Sequence, residues 1–288
     1  MTERAQRSDR VDAHHHLWSV EPEVPEWLTG AETEAIRRTF TVDDLTAATA
    51  GLGVTATVLV QTVHSEDETR DFLGVAADVP LIAAVTGWTD LESHGVADRL
   101  SVLQDVRGGN RLRAIRHGAQ GEPDPGWLAR PAVVAGVRAV GAAGLAYELL
   151  VKPPQLEAAA ALVRSCPEVS FVLDHAGKPE IEAGSWEPWA SRIAELAAAD
   201  NLTCKLSGLV TEDGPDWSVE HLRRYVDHLL ETFGPQRMLF GSDWPVCLLR
   251  TGYASWVAAA DELLSGLSTD EYAAVTGNTA RGVYRLDL

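Results

Sequence analysis

The feature that most constrains the fold is a strand-like run of residues that recurs eight times along the chain. The runs begin near residues 10, 54, 81, 112, 145, 169, 202 and 237. Between them, apolar residues recur with a period near 3.6, which predicts helices over 67–78, 130–144, 153–166, 186–200 and 219–234. Successive runs lie about 32 residues apart on average, the size of one strand–helix–strand unit. Eight such units favour an α/β fold, a single (β/α)8 TIM barrel, over a doubly wound sheet.

We expect this barrel to occupy the whole chain, residues 1–288, as one domain, with a disordered N-terminus over residues 1–9. The step from the first run to the second is longer than the others. It contains a loop-like stretch, EPEVPEWLTGAETEAIRRTF, at residues 21–40. Loops that follow barrel strands commonly shape the active site, so we expect this loop to cover it.

Composition argues against several classes of partner. The formal net charge of −18 disfavours nucleic acid as a ligand, because phosphate binding needs basic patches. No apolar run reaches the roughly 18 residues that a membrane span needs, and residues 1–10 lack the apolar segment of a signal peptide. The expected location is therefore the cytoplasm. The three cysteines are widely separated, which argues against a disulfide framework or a cysteine zinc site, and Cys204 is expected in the core. The oligomeric state is not predicted.

The first run contains three consecutive histidines, in RVDAHHHLWS at residues 10–19. Side chains of a strand alternate between its two faces, so Asp12, His14 and His16 are expected on one face and His15 on the other. Two imidazoles at the end of one strand can bind one metal ion.

Polar and titratable side chains collect at the C-terminal ends of the runs, where the active site of a TIM barrel lies. In chain order they are His14 and His16, Gln61, Trp88, Arg116 and His117, Glu148 and Lys152, Asp174 and His175, Lys205 and Ser207, and Asp243 and Trp244. One such residue alone would usually be structural. Together, at most of the strand ends, they indicate a functional site at the mouth of the barrel.

Two roles are open for four of these residues. His14, His16, His175 and Asp243 can converge as nitrogen and oxygen ligands of zinc or manganese. Asp243 can instead be a general base that takes a proton from water. The residues by themselves do not choose between these roles.

The other strand ends suggest substrate contacts and supports. The guanidinium of Arg116 suits a carboxylate or a polarised ester oxygen, with an ion pair inside the barrel as the alternative. Asp174 adjoins His175, so strand alternation turns the two apart and Asp174 is expected to brace the structure. Lys152 precedes two prolines and is expected to mark the exit from the fifth strand. Three tryptophans are either the apolar walls of a ring-binding cavity or packing residues: Trp88, Trp127 and Trp244.

Six motifs resemble the lactonase branch of the amidohydrolase superfamily. They are VDAHHHLW, AIRHGAQGEPDPGWL, LLVKPPQL, LDHAGKP, CKLSGL and LFGSDWPV. That branch includes L-fuconolactone, L-rhamnonolactone and sulfomuconolactone hydrolases and the pyrone-dicarboxylate lactonase. The resemblance runs from about Val11 to Asn278, and the motifs stand in the family's order. It implies a (β/α)8 barrel, in agreement with the strand count.

The resemblance also implies roles for individual residues. The family's D-x-H-x-H motif falls on Asp12, His14 and His16, its strand-six histidine on His175, and its strand-eight aspartate on Asp243. Asp243 would be the base that activates water, and the predicted catalytic residues are Asp243 and His175. Substrate contact is implied for the arginine of the IRH motif and is predicted for four residues at neighbouring strand ends. This substrate-binding set is Arg116, His117, Trp88, Trp244 and Gln61.

The chain departs from the two-metal members of the superfamily. Those members carry a bridging lysine or carboxylate on strand four and a histidine on strand five, where this chain has Arg116-His117 and AYELLVK. We therefore expect at most one divalent metal, zinc or manganese. The lactonase branch includes metal-dependent enzymes and one that works without metal, so the requirement stays open. Without metal, the histidines would donate hydrogen bonds to a lactone carbonyl.

The sequence thus predicts a hydrolase that opens a sugar-acid lactone, an aldonolactone such as L-fuconolactone or L-rhamnonolactone, with water activated by Asp243. The expected partner is this small-molecule lactone. Two alternatives are a metal-dependent decarboxylase of an aromatic or muconate-type acid, and a non-catalytic carbohydrate-binding barrel. The identity of the sugar and the size of the lactone ring are not predicted.

Overall fold

A computed structural model describes residues 9–286, so most of the predicted disordered N-terminus, residues 1–8, lies outside the described residues. Eight strands form one sheet in which each strand pairs in parallel with the next along the chain. They are β1 (Arg10–His15), β2 (Val54–Val60), β3 (Ile82–Gly87), β4 (Leu112–His117), β5 (Ala146–Leu149), β6 (Phe171–Leu173), β7 (Leu202–Leu206) and β8 (Met238–Phe240). Each lies in one of the predicted runs. The prediction of a (β/α)8 barrel is confirmed.

Helices surround the barrel, and all five predicted helices are present. The bounds are α1 (Val42–Thr49), α2 (Glu66–Asp78), α3 (Val96–Asp105), α4 (Pro131–Ala142), α5 (Leu156–Ser165), α6 (Trp189–Ala197), α7 (Leu209–Glu212), α8 (Val219–Phe233), α9 (Tyr253–Leu263), α10 (Thr269–Ala273) and α11 (Thr279–Val283). Their starts follow ordinary capping rules: the Ser65 hydroxyl accepts from two amides of α2, and the Ser218 hydroxyl accepts from one amide of α8. None of the helices within residues 9–286 is long and apolar enough to cross a membrane.

The barrel closes where the segment after β8 meets β1. The amide of Asp243 donates to the carbonyl of His14 at 2.8 Å, and the amide of His16 donates to the carbonyl of Trp244 at 2.7 Å. Closure therefore sets the backbones of two predicted site segments side by side.

Two apolar clusters fill the structure. The larger one lies between the strands and the helices, and it includes the buried Cys204. The smaller one combines small strand residues, such as Ala56, Ala114 and Ala146, with Ala280 and the fully buried Tyr284. Small side chains inside a barrel leave room for a large one, and here Tyr284, directly after α11, supplies it.

Candidate active site

Four predicted residues converge beside one carboxylate oxygen. Oδ1 of Asp243 lies 3.6 Å from Nε2 of His16, 3.7 Å from Nε2 of His14 and 3.8 Å from Nε2 of His175. The Nε2 atoms of His14 and His16 are 3.1 Å apart. All four side chains are buried. The predicted convergence of these four side chains is therefore present in the structure.

Unusual backbone conformations aim two of these side chains. Strand β6 ends at Leu173, and His175 and Ala176 follow with φ angles of +51° and +55°. Asp243, with a φ of +55°, is also left-handed. Left-handed conformations are uncommon for residues other than glycine, and they cluster at functional sites. The expectation that Asp174 and His175 face opposite sides was wrong, because the chain leaves the strand between Leu173 and His175.

Asp12 does not share a face with His14 and His16, so that expectation was also wrong. The pairing of β1 with β2 shifts register between Asp12 and His15. Asp12 instead accepts from the hydroxyl of Tyr253 on α9 at 2.8 Å and from the amide and hydroxyl of Ser242 at 2.8 and 2.6 Å. Asp12 thereby fixes the position of Ser242, the residue that precedes Asp243.

Below the histidines, buried charges form a continuous network. Asp174 accepts from Nη1 of Arg116 at 2.9 Å and lies 2.9 Å from Nζ of Lys205. Nζ of Lys205 also donates to Glu148 at 2.7 Å and lies 3.1 Å from Nδ1 of His14. All of these side chains are buried. Asp174 does brace the structure, as expected, but it does so inside the site.

Burial keeps two of the imidazoles neutral. Burial, and then the nearby Lys205 ammonium, holds the pKa of His14 well below its usual range. Burial lowers the pKa of His175 to about 4, although the carboxylates of Asp243 and Asp174 act in the opposite direction. Burial alone would raise the pKa of Asp243, but His175 and His16 outweigh it, and the pKa lies below the usual value. At neutral pH the site holds a carboxylate beside the two neutral rings of His14 and His175.

The geometry of these residues fits one metal ion. Ligand atoms about 2.0–2.1 Å from a tetrahedral ion lie roughly 3.3 Å from one another. The distances among the His14, His16 and Asp243 atoms, 3.1–3.7 Å, bracket that value, and these three form one possible ligand group. His175 approaches the group at Asp243, 3.8 Å away. A second possible group, His14 with Asp174 and His175, shares two of these residues and is not a separate site. Neutral imidazole and carboxylate ligands suit zinc or manganese.

A cavity of about 740 Å³ opens above the cluster and exposes His16, His175 and Asp243 to a ligand. Two predicted substrate residues, Arg116 and Gln61, line it. The loop after β1 contributes three further lining residues, as its position predicted: Glu26, Trp27 and Thr33.

Three other predicted substrate residues do not line the cavity. The His117 ring stacks between His64 and Trp127 at 4.1 Å from each, and its Nδ1 accepts from the Trp88 indole at 3.1 Å. His64 is the member of this stack that reaches the cavity. Trp244 is buried, and its ring packs edge-on against Phe40. Trp88, Trp127 and Trp244 thus pack behind the residues that line the cavity.

The sequence reasoning missed four cavity residues with charged or polar side chains: Thr62, His64, Gln120 and Lys178. Lys178 has a φ of +51° and pairs with Glu212 at 3.3 Å. It belongs to the quoted motif LDHAGKP, so the motif itself was the available signal. His64 follows the end of β2 by four residues, and no pattern in the sequence marked it.

Comparison with known proteins agrees with the fold. The family model described as amidohydrolase matches residues 11–286. An L-fucono-1,5-lactonase from Burkholderia ambifaria is 37% identical over 283 residues, which are 96% of each chain. Another from Burkholderia multivorans is 35% identical over 291 residues, also 96% of each chain. A crystal structure of an amidohydrolase from Burkholderia multivorans with bound zinc superposes with a TM-score of 0.91 at 35% identity, covering 96% of this chain and 99% of that one. The chain belongs to the amidohydrolase family.

Proposed function

We propose that the protein hydrolyses a sugar-acid lactone, opening the ring ester to a hydroxy carboxylate. The observation that carries the proposal is the Asp243 carboxylate, at the floor of a cavity and 3.6–3.8 Å from three imidazole Nε2 atoms. Ester hydrolysis needs a base for water and polar groups for the developing oxyanion, and this cluster offers both. Full-length similarity to two L-fucono-1,5-lactonases supports the same substrate class.

In the proposed reaction, Asp243 takes a proton from a water molecule whose oxygen attacks the lactone carbonyl carbon. The carbonyl oxygen becomes an oxyanion, which imidazole N–H groups and Arg116 stabilise. The bond between the carbonyl carbon and the ring oxygen then breaks. The ring oxygen leaves with the proton that Asp243 had taken, so the carboxylate is restored. The product acid releases one proton at neutral pH.

The proposal includes a binding site for one divalent metal ion. His14, His16, His175 and Asp243 would hold it, and zinc or manganese suits these ligands. When bound, such an ion supplies Lewis-acid polarisation of the carbonyl. The assay with a chelator tests whether catalysis requires this ion.

Recognition of the sugar would come from the polar groups on the cavity wall. Arg116 is held by the Gln61 carbonyl at 2.6 Å and by Asp174 at 2.9 Å, so its guanidinium is fixed in position. Lys178 and the loop residues Glu26 and Trp27 lie on the same wall. Fixed polar groups with one aromatic ring suit a polyhydroxylated ring. In this proposal His117, Trp88 and Trp244 support the wall and do not touch the substrate.

The test is a pH-indicator assay against a panel of aldonolactones that starts with L-fucono-1,5-lactone, with and without a chelator. We expect acid release on at least one lactone. Asp243→Asn should lower kcat by about 10³-fold or more, because it removes the base. The exposed Asp200 provides a matched control, and Asp200→Asn should keep the wild-type rate.

Two results would contradict the proposal. One is a near wild-type rate in a folded Asp243→Asn variant. The other is release of carbon dioxide from a carboxylated aromatic acid with no lactone hydrolysed, which would favour the decarboxylase. The chelator arm separates a required metal from direct action of the histidines.

A further inference from the structure

Lys178 lies on the cavity wall at the end of a left-handed turn. The four residues from His175 to Lys178 have φ angles between +51° and +67°, and the amide of Lys178 donates to the carbonyl of His175 at 2.9 Å. Consecutive left-handed residues are rare, because the conformation is unfavourable for every residue type except glycine. Such strain is retained mainly at functional sites, so the backbone points to a functional position for Lys178.

The ammonium of Lys178 is paired with a carboxylate from another element. Its Nζ lies 3.3 Å from Oε1 of Glu212, the last residue of α7, and each side chain is only 19% exposed. Lys178 lines the cavity and Glu212 does not, so the lysine, and not the carboxylate, meets a ligand. Solvent screens a partly buried pair less than an exposed one, so Glu212 offsets the charge that Lys178 would otherwise present to a ligand.

The second basic side chain of the cavity, Arg116, has its donors occupied by the protein. Nη2 lies 2.6 Å from the main-chain carbonyl oxygen of Gln61 and 3.2 Å from its Oε1, and Nη1 donates to Asp174 at 2.9 Å. The remaining Nε is buried. A carboxylate prefers two parallel hydrogen bonds from a guanidinium, and here it would have to displace Gln61 or Asp174 to obtain them. Arg116 therefore contributes charge to the cavity without a free pair of donors.

The charge balance of the cavity is consequently unfavourable to an anionic ligand. Among the lining residues that the structure describes, Arg116 and Lys178 are the arginine and the lysine, and each is paired with a carboxylate from outside the lining. Glu26 and Asp243 add two carboxylates to the lining itself. The net charge of −18 on the whole chain acts in the same direction. An uncharged ring avoids this repulsion, whereas a ligand with its own carboxylate does not.

We propose that the ion pair of Lys178 and Glu212 determines which charge a substrate may carry. With the pair intact, the cavity takes an uncharged lactone and rejects a lactone that carries a free carboxylate. Lys178 contacts the substrate, and Glu212 is a positioning residue that acts through Lys178. The inference rests on the lactone hydrolysis proposed above and narrows its substrate class to neutral lactones.

Substitution of the two partners separates charge from packing. Glu212→Gln leaves the lysine charge unbalanced, and Lys178→Met leaves the glutamate charge unbalanced. The double variant is neutral, like the wild-type pair. Each replacement has nearly the size of the original side chain. Glu195→Gln is the matched control, because Glu195 pairs with Arg164 and Arg192 from helix α6, which does not line the cavity.

The experiment measures kcat/KM for pairs of lactones that differ only in a carboxylate at carbon 6. Suitable pairs are D-galactono-1,4-lactone with D-galactaro-1,4-lactone, and D-glucono-1,4-lactone with D-glucaro-1,4-lactone. For each enzyme, the readout is the kcat/KM of the carboxylated lactone divided by that of its neutral partner. We expect a wild-type ratio well below one. The ratio should rise by about tenfold or more in Glu212→Gln and fall by a similar factor in Lys178→Met.

The double variant and Glu195→Gln should keep the wild-type ratio. A merely structural role of the pair would lower both rates together and would not move the ratio in opposite directions in the two single variants. The double variant completes the cycle, because it tests whether the effect of Glu212→Gln passes through Lys178.

A wild-type enzyme that hydrolyses carboxylated lactones as fast as neutral ones would overturn the inference. So would equal ratios for Glu212→Gln and Glu195→Gln. If Glu212→Gln fails to fold, the wild-type preference and the Lys178→Met ratio decide. An active enzyme with unchanged ratios refutes this inference alone, whereas an enzyme that hydrolyses no lactone of either kind refutes the proposed function and this inference with it.

Discussion

Gly208 is the position where one added methyl group should disable the site. It follows β7 with a φ of +66°, and a Cβ built on it would lie 2.5 Å from Nδ1 and 2.7 Å from Cγ of His175. The ring cannot simply turn away, because Nδ1 is 2.9 Å from the Ser207 hydroxyl and the His175 backbone is itself left-handed. Gly208→Ala must therefore displace His175.

The distances set the size of the expected effect. Ordinary contact begins near 3.4 Å, so the His175 ring must move by roughly 0.9 Å from a 2.5 Å approach. A misplacement of about 1 Å in a catalytic constellation can cost about 10²-fold in rate. The left-handed backbone adds a stability cost of roughly 1–2 kcal/mol for alanine. We expect a folded enzyme with a lower free energy of unfolding and a kcat/KM that is lower by about 10²-fold.

A second glycine separates the two effects. Gly184 has a φ of +64°, and nothing lies within 4 Å of a Cβ built on it. Gly184→Ala should carry the same backbone cost and keep its activity. The measurements are urea unfolding and lactone hydrolysis for both variants. Equal kcat/KM values for Gly208→Ala and Gly184→Ala would refute the reasoning.

Three further predictions concern side chains around the site. Tyr253→Phe removes the 2.8 Å hydrogen bond to Asp12 and should lower the free energy of unfolding by about 1.5–3 kcal/mol, the range for bonds to charged groups. An unchanged urea midpoint would show that this hydrogen bond does not stabilise the fold. His15→Leu should raise the free energy of unfolding by about 1 kcal/mol, because both buried ring nitrogens lack a hydrogen-bond partner. A lower urea midpoint in that variant would contradict this. Partial burial, and then the stacked His117, lowers the pKa of His64 to about 4. The unfolded chain therefore takes up this proton between about pH 6.5 and pH 4 while the native protein does not, so stability falls as the pH falls through that window. His64→Asn should flatten that part of a urea-stability profile, and an identical profile would show that His64 does not contribute.

The strands and the main helices were predictable because their signals are local. Apolar runs with short polar boundaries identify strands, and a 3.6-residue apolar period identifies helices such as α8. The average step of about 32 residues then selects the barrel. Once the barrel is accepted, the position of a polar residue within its strand tells which end of the barrel it occupies. That is why the convergence of His14, His16, His175 and Asp243 could be predicted.

Side-chain direction was harder to predict, since alternation holds only while the backbone stays regular. A register shift in β1 turns Asp12 towards α9 while His14 stays inside. Left-handed residues after β6 bring His175 to the same site as Asp174. Both departures occur beside the candidate site, and both are held by hydrogen bonds from distant parts of the chain. A single sequence contains no local signal for such bonds.

The network beneath the histidines shows what such distant bonds achieve. Tyr284, near the C-terminal end of the described residues, reaches into the barrel and donates to Glu148. Glu148 orients Lys205, and Lys205 contacts both His14 and Asp174. Strand pattern predicts Glu148 and Lys205 as residues at strand ends, yet it gives no reason to join them to Tyr284. The apolar barrel interior raises the cost of leaving any of these charges unpaired, so each member holds the next in one geometry. The position of the His14 ring is therefore set by residues that do not line the cavity, Lys205 and Glu148 among them.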